Sequence, residues 1–168
     1  MSERTFRVMT QADKPAVLDL STRAFGQPDE ARIIEQLEKD NDVVLQIVAE
    51  SDGQIVGHIL FYRVGVYGRL GAVGLGPMSV DPWVQKEGIG KSLVLHGLKM
   101  LNDVSVPIVF VLGHDWFYPK FGFSVAQAAE FQTSLKGDHF MALRLRHGPP
   151  MSGRLIFPDA FGVPIAEV

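Results

Sequence analysis

An apolar run, a proline-flanked turn, a glycine pair and a helical repeat follow one another between Leu75 and Leu95, and few folds accommodate that order. Val73 to Val80 is apolar and bounded by glycine and proline, as a buried strand would be. From Leu93 the apolar positions are Leu93, Val94, Gly97, Leu98 and Leu101, which is helical spacing. Gly88 and Gly90 therefore open a helix, where the first backbone N–H groups lack intrahelical partners and the macrodipole places partial positive charge. Such a strand–turn–helix is a ready anion site. The strand carries a constraint of its own. Pro77 cannot donate to a ladder, so pairing should break near Gly76-Pro77.

The kind of anion can be narrowed by motif. Gly90-Lys91-Ser92 supplies the end of a P-loop, but Gln85 stands where that loop needs its first glycine. A dinucleotide pattern begins at Gly88 and Gly90 and fails at Leu93. What remains is Q-x-x-G-x-G over Gln85–Gly90. A second motif lies downstream. Pro107 to Gly113 reads as a buried parallel strand after a crossover. It is followed by an aromatic-rich stretch ending Y-P-K-F-G-F over Tyr118–Phe123.

Together these motifs resemble the GNAT superfamily of acetyl-CoA-dependent N-acetyltransferases, whose pyrophosphate loop reads [QR]-x-x-G-x-[GA] and whose later signature reads Y-x-[KR]-x-G-F. The resemblance implies an α/β GNAT fold: a mixed, mostly antiparallel central sheet splayed between strands 4 and 5, with helices on both faces. It implies one domain over residues 1–168, with the resemblance covering 3–146 and 147–168 an extension of unassigned role. Carried over by position, Gln85, Lys86, Glu87, Gly88, Ile89, Gly90, Lys91 and Ser92 would grip the coenzyme A pyrophosphate. Backbone groups of Met78, Ser79 and Val80 would pair with the pantetheine arm like one more strand, and the N–H near Val80 would polarise the thioester carbonyl. Tyr118 occupies the general-acid position. The implied cosubstrate is acetyl-CoA, with no metal, and the implied partner is a small-molecule or peptide amine. A homodimer is also implied, to which the apolar piece Leu155-Ile156-Phe157 could contribute. The competing reading is a non-catalytic acyl-CoA-binding sensor or interaction domain of the same fold.

The chemistry sets further expectations. A primary amine with a pKa of about 10.4 must lose a proton before it attacks, and a thiolate with a conjugate pKa of about 8.5 must gain one on leaving. A phenol with a pKa of about 10 suits the second task, although Tyr118 also sits among Trp116, Phe117, Phe121 and Phe123, where it could simply pack. His114, just past the fifth strand, is the base candidate. His58, inside an apolar strand, reads as a satisfied core histidine, and Asp81 and Glu87 as turn and loop acids. The chain departs from the family at Gly113-His114-Asp115, where an asparagine often contacts the coenzyme; this resembles a bacterial subgroup with G-H-x-x-F-Y-P-K-F-G-F.

Composition excludes several classes. With 168 residues, 46% hydrophobic and 21% charged, the chain can bury an ordinary core. A net charge of -3 argues against nucleic acid as partner. The absence of cysteine rules out disulfides and thiolate chemistry. Neither a signal-peptide core in Met1–Gln11 nor an apolar run of about 18 residues is found, so a cytoplasmic protein with no membrane partner is expected.

The remaining elements follow in order. Thr5–Met9 reads as a strand. Thr10 reads as the cap of a helix through Val17, Leu18, Leu20 and Ala24, with Pro15 in its first turn. A second helix starts at Pro28-Asp29-Glu30 and buries Ile33, Ile34 and Leu37. Val43–Glu50 and Ile55–Val64 form a hairpin about Asp52-Gly53, with Gly57 marking a bulge or a close approach. A loop is expected at Tyr67–Gly71 and a late strand at His139–Arg146.

Overall fold

The computed structural model describes residues 3–67, 69–146 and 151–164. Among these residues eight strands are formed: β1 (Arg4–Val8), β2 (Val43–Ser51), β3 (Gln54–Val66), β4 (Arg69–Val80), β5 (Ile108–Leu112), β6 (Phe131–Gln132), β7 (Phe140–Arg144) and β8 (Gly153–Ile156). The helices are α1 (Lys14–Phe25), α2 (Asp29–Lys39), α3 (Ile89–Asp103) and the short α4 (Val125–Ala128). Strand order in the main sheet is β1-β2-β3-β4-β5-β7, with β8 pairing to both β3 and β6. The sheet is mixed, as expected: β1–β2, β3–β8 and β5–β7 are antiparallel, and β4–β5 is parallel.

The chain divides into two compact units, with β3 and β4 contributing to each. The first comprises residues 1–61 and 76–100. Here β1 is tied to the start of α1 by a charged network. Arg7 donates two hydrogen bonds to the Asp13 carboxylate, at 2.7 and 2.9 Å, and one to Glu50 of β2 at 3.1 Å. That guanidinium, with the N–H and hydroxyl of Thr10, holds the nearly buried Asp13 carboxyl well below the usual carboxylate range. The chain enters α1 through a 3-10 turn, Gln11–Asp13, so the regular helix begins later than its Thr10 cap suggests. In α2 the buried face is Ala31, Ile34 and Leu37, and Ile33 stays half-buried. α3 lies directly on the β2–β3 hairpin. A Cβ added at Gly57 would sit 2.8 Å from Ile89 Cγ2 and 3.1 Å from Leu93 Cδ1, so Gly57 marks a close approach of helix to strand.

The second unit comprises residues 62–75 and 101–168. The parallel ladder pairs Ala72–Leu75 with Ile108–Val111 and stops there. The next peptide, Gly76–Pro77, is cis. The β4–β5 ladder ends just short of the proline, as expected, while β4 itself runs on to Val80. β4 starts at Arg69, so most of the expected Tyr67–Gly71 loop is strand instead; Gly68 lies outside the described residues. Phe110 packs against Phe131 and Phe140, with ring centroids 4.9 and 5.6 Å apart. The apolar C-terminal piece is used within the chain. Leu155 and Phe157 are buried, β8 pairs with Gly65 and Val66 of β3, and Phe157 meets Tyr62 and Phe140. The Pro/Gly-rich start of the tail, 148–150, lies outside the described residues.

His58 departs from the expected satisfied core histidine. It is fully buried and its Nε2 pairs with Gln46 Oε1 at 2.8 Å, but its Nδ1 has no partner among the described residues. Burial pushes its pKa down to about 4. The unfolded chain binds this proton below about pH 6.5 and the folded chain only near pH 4, so this site favours folding above pH 6.5 and loses that contribution as pH falls. Denaturant midpoints should therefore fall between pH 6.5 and 4 with roughly 3 kcal/mol of loss traceable to His58. His58→Gln should flatten that slope. An unchanged slope in the variant would contradict the assignment.

Candidate functional site

The anion-type turn is built from the end of β4 onward. Asp81 N–H donates to Val56 O at 2.8 Å, holding the strand end to β3. The Asp81 carboxylate then caps the 3-10 turn Pro82–Val84, accepting the Trp83 N–H at 3.0 Å, and its other oxygen accepts Arg23 Nη1 at 2.9 Å. Burial pushes this carboxyl up, but the Trp83 amide and the Arg23 guanidinium together hold it below its ordinary value. Gln85 is extended and its side chain donates to Val80 O at 3.1 Å, closing the loop on the strand it left. The backbone then turns sharply, with positive φ at Lys86 (67°) and Gly88 (85°). Between them, Glu87 receives Arg4 Nη2 at 2.6 Å.

Gly88 O accepts the Ser92 N–H at 3.0 Å, which opens α3. The amides of Gly88, Ile89, Gly90 and Lys91 find no acceptor among the described residues. Residues 85–88 are exposed, and Ile89 is buried against the position of Gly57. Buried Ile89 anchors the turn while its neighbours stay open to solvent. Upstream, Met78 and Val80 are half-buried, and the buried Ser79 has a hydroxyl with no partner among the described residues. These residues, from Met78 to Ser92, all fall in the first unit.

The second motif lies in the other unit, at the end of β5. Gly113 N–H donates to His139 O at 3.0 Å, and the His114 carbonyl accepts the amides of Phe117 and Tyr118, each at 3.2 Å. This compact turn leads into a 3-10 segment, Tyr118–Phe121, closed by Gly122 at φ 101°. The Tyr118 ring is buried edge-on to Phe117 and Phe123, with centroids 5.0 and 5.8 Å away. Its hydroxyl makes no hydrogen bond among the described residues. Burial pushes the phenol up to about 12, so it keeps its proton throughout the neutral range. That is more tuning than the sequence suggests, and it comes from the aromatic packing around the ring. The His114 ring is exposed and stacks on Trp116, 5.1 Å between centroids. No group of three or more histidines, aspartates or glutamates among the described residues could hold a metal ion. None of their helices is long and apolar enough to cross a membrane.

Three residues of this arrangement are not evident from the sequence. Arg4 and Arg23 reach the loop from 83 and 58 positions away, and no local pattern signals such pairs. Gly113 is the third. A Cβ there would lie 2.4 Å from Tyr118 Cε2, so the tyrosine ring occupies the space the missing side chain leaves. The signal was present as a glycine five residues before a tyrosine, but its meaning required the turn geometry.

Known proteins agree with this architecture. A family profile described as an acetyltransferase (GNAT) domain matches residues 5–126. This chain belongs to that family. The uncharacterized N-acetyltransferase YhbS of Escherichia coli (strain K12) is 35% identical over 122 residues, 71% of this chain and 73% of that protein. The crystal structure of Escherichia coli YhbS in complex with CoA superposes with a TM-score of 0.89 at 29% identity, covering 96% of this chain and 93% of that one. A GNAT family acetyltransferase from Brucella melitensis in complex with acetyl-CoA gives 0.80 at 31% identity, covering 95% and 98%. The fold is thus the GNAT fold. Its likeness extends well past the profile match, into β7 and β8.

The contact between Gly113 and Tyr118 is directly testable. Gly113→Ala should overpack the turn and destabilise the protein by about 1–3 kcal/mol in chemical denaturation. In a Tyr118→Ala background the same change should cost much less. Equal costs in the two backgrounds would show that the ring is not what the glycine accommodates.

Proposed function

We propose that the protein transfers an acetyl group from acetyl-CoA to an amine by direct attack in a ternary complex, and that the chain from end to end serves as one acetyltransferase domain. The observation that carries this reading is the run of acceptor-free amides at Gly88–Lys91 behind a positive-φ turn, in a member of the GNAT family. Such amides at a helix start suit a pyrophosphate. Support also comes from the Brucella melitensis and Escherichia coli relatives, whose structures hold acetyl-CoA and CoA.

In this reading Gln85–Ser92 hold the pyrophosphate, and backbone groups of Met78, Ser79 and Val80 hold the pantetheine arm. Acetyl-CoA supplies an activated acyl carbon: the amine nitrogen bonds to it as the C–S bond breaks, the amine loses a proton and the sulfur gains one. The Val80 N–H stabilises charge developing on the carbonyl oxygen. Tyr118 donates to the departing sulfur. Burial keeps the phenol protonated until the C–S bond breaks, and solvent returns a proton to the phenolate after the transfer. His114, exposed beside Trp116, takes the amine proton directly or through water. The acceptor is a small-molecule or peptide amine, met in the cytoplasm.

Thermal unfolding with coenzyme A, acetyl-CoA, ATP and NAD tests the first step. Ligand at about 100 times its Kd should add roughly 2.7 kcal/mol, and only the two coenzyme A species should do so. Gly88→Asp should abolish the shift by blocking the loop with a side chain and a negative charge. Retained binding in that variant would remove the pyrophosphate assignment. Tyr118→Phe should keep coenzyme affinity and lower kcat by about 100- to 10,000-fold. Binding without turnover across a panel of amines would instead favour a sensor.

A further inference from the structure

The loop that this reading assigns to the pyrophosphate carries its own negative charges. Between Asp81 and Ser92 stand two carboxylates, Asp81 and Glu87, and two lysines, Lys86 and Lys91. An unpaired carboxylate beside a pyrophosphate would repel it. Both are paired, and each by an arginine from a distant element. Arg23 of α1 donates to Asp81 at 2.9 Å and is itself steadied by Asp19, four residues earlier, at 2.8 Å. Arg4 of β1 donates to Glu87 at 2.6 Å. Neither Lys86 nor Lys91 forms an ion pair among the described residues. With both acids neutralised, the two lysines leave the loop net positive.

We infer that Arg4 is a positioning residue for coenzyme binding: it neutralises Glu87 and fixes the sharp turn that presents the amides of Gly88–Lys91. This rests on the pyrophosphate reading above. The geometry supports both halves of the role. Glu87 lies between the two positive-φ residues, Lys86 and Gly88, so anchoring its side chain anchors the tightest part of the loop. Arg4 is the more buried partner, its side chain 26% exposed against 47% for Glu87, and its Nε is buried with no partner among the described residues. Glu87 is thus the acceptor that the guanidinium meets. An ion pair this exposed adds little to global stability, so its effect should be read in ligand affinity rather than melting temperature.

The test is a charge-rescue cycle by calorimetry with coenzyme A as the probe. Arg4→Met should raise the Kd by about three- to ten-fold, with a matching rise in KM for acetyl-CoA and an unchanged kcat. Glu87→Gln leaves the loop's backbone amides in place and keeps an oxygen to accept the Arg4 hydrogen bond, removing only the charge, so it should bind at least as tightly as the native chain. The double variant Arg4→Met/Glu87→Gln should recover most of the lost affinity, and the Arg4→Met defect should shrink as salt is raised. An unchanged Kd in Arg4→Met, or a double variant no better than Arg4→Met, overturns the inference. If Arg4→Met does not fold, weaker binding by Glu87→Gln overturns it instead. The Gly88→Asp control separates the two levels. If that variant loses coenzyme A and Arg4→Met does not, the inference fails alone; if Gly88→Asp binds normally, the pyrophosphate reading fails first.

Discussion

Backbone amides without acceptors are the feature the rest of the first unit is arranged to permit. A protein normally pairs nearly every main-chain N–H or leaves it to water. At Gly88–Lys91 four in succession find no acceptor within the described chain, on a turn anchored by buried Ile89. Three devices hold that turn. Asp81 caps the preceding 3-10 segment, Gln85 folds back onto Val80, and Arg4 clamps Glu87. Absent a side chain at Gly57, α3 can settle deeply enough on the hairpin to bring its first turn into place. The packing of a core helix and the openness of a surface loop are thus one requirement.

The second unit poses an opposite requirement. Tyr118 is surrounded on purpose: Phe117 and Phe123 meet it edge-on, and Gly113 yields its side-chain volume to the ring. Packing and acid chemistry are competing readings in sequence; the structure has the packing. The same apolar contacts that fix the ring also bury it, and that burial raises the phenol's pKa. An exposed tyrosine would be looser in position and closer to ionising.

Local patterns were legible to the degree that they are local. The β4–turn–α3 unit, the hairpin at Asp52-Gly53 and the parallel β5 follow from periodicity and glycine placement, and the structure has each of them. Pro77 announced the end of the β4–β5 ladder from chemistry alone, because a missing N–H cannot pair. Several features escaped, the short α4 and the strand β8 among them. The start of β4 at Arg69 was hidden because Gly71 looked like loop. β6 is two residues long, too short for any period to register. The Arg4–Glu87 and Arg23–Asp81 pairs join segments remote in sequence, and charge pairs at such distance leave no pattern. His58 reads correctly as core, yet only the three-dimensional surroundings reveal that one of its nitrogens is unmet.

The strand β8 has a consequence for where this domain ends. The family profile stops at residue 126, yet β8 covers the edge of β3 at Gly65 and Val66, flanks β6, and delivers Phe157 onto Tyr62 and Phe140. A boundary drawn from sequence likeness would cut away the strand that shields those main-chain groups and rings, leaving a sticky sheet edge. The described fold therefore runs past the residues that the family profile matches, and β8 is a closing seam for β3 and β6.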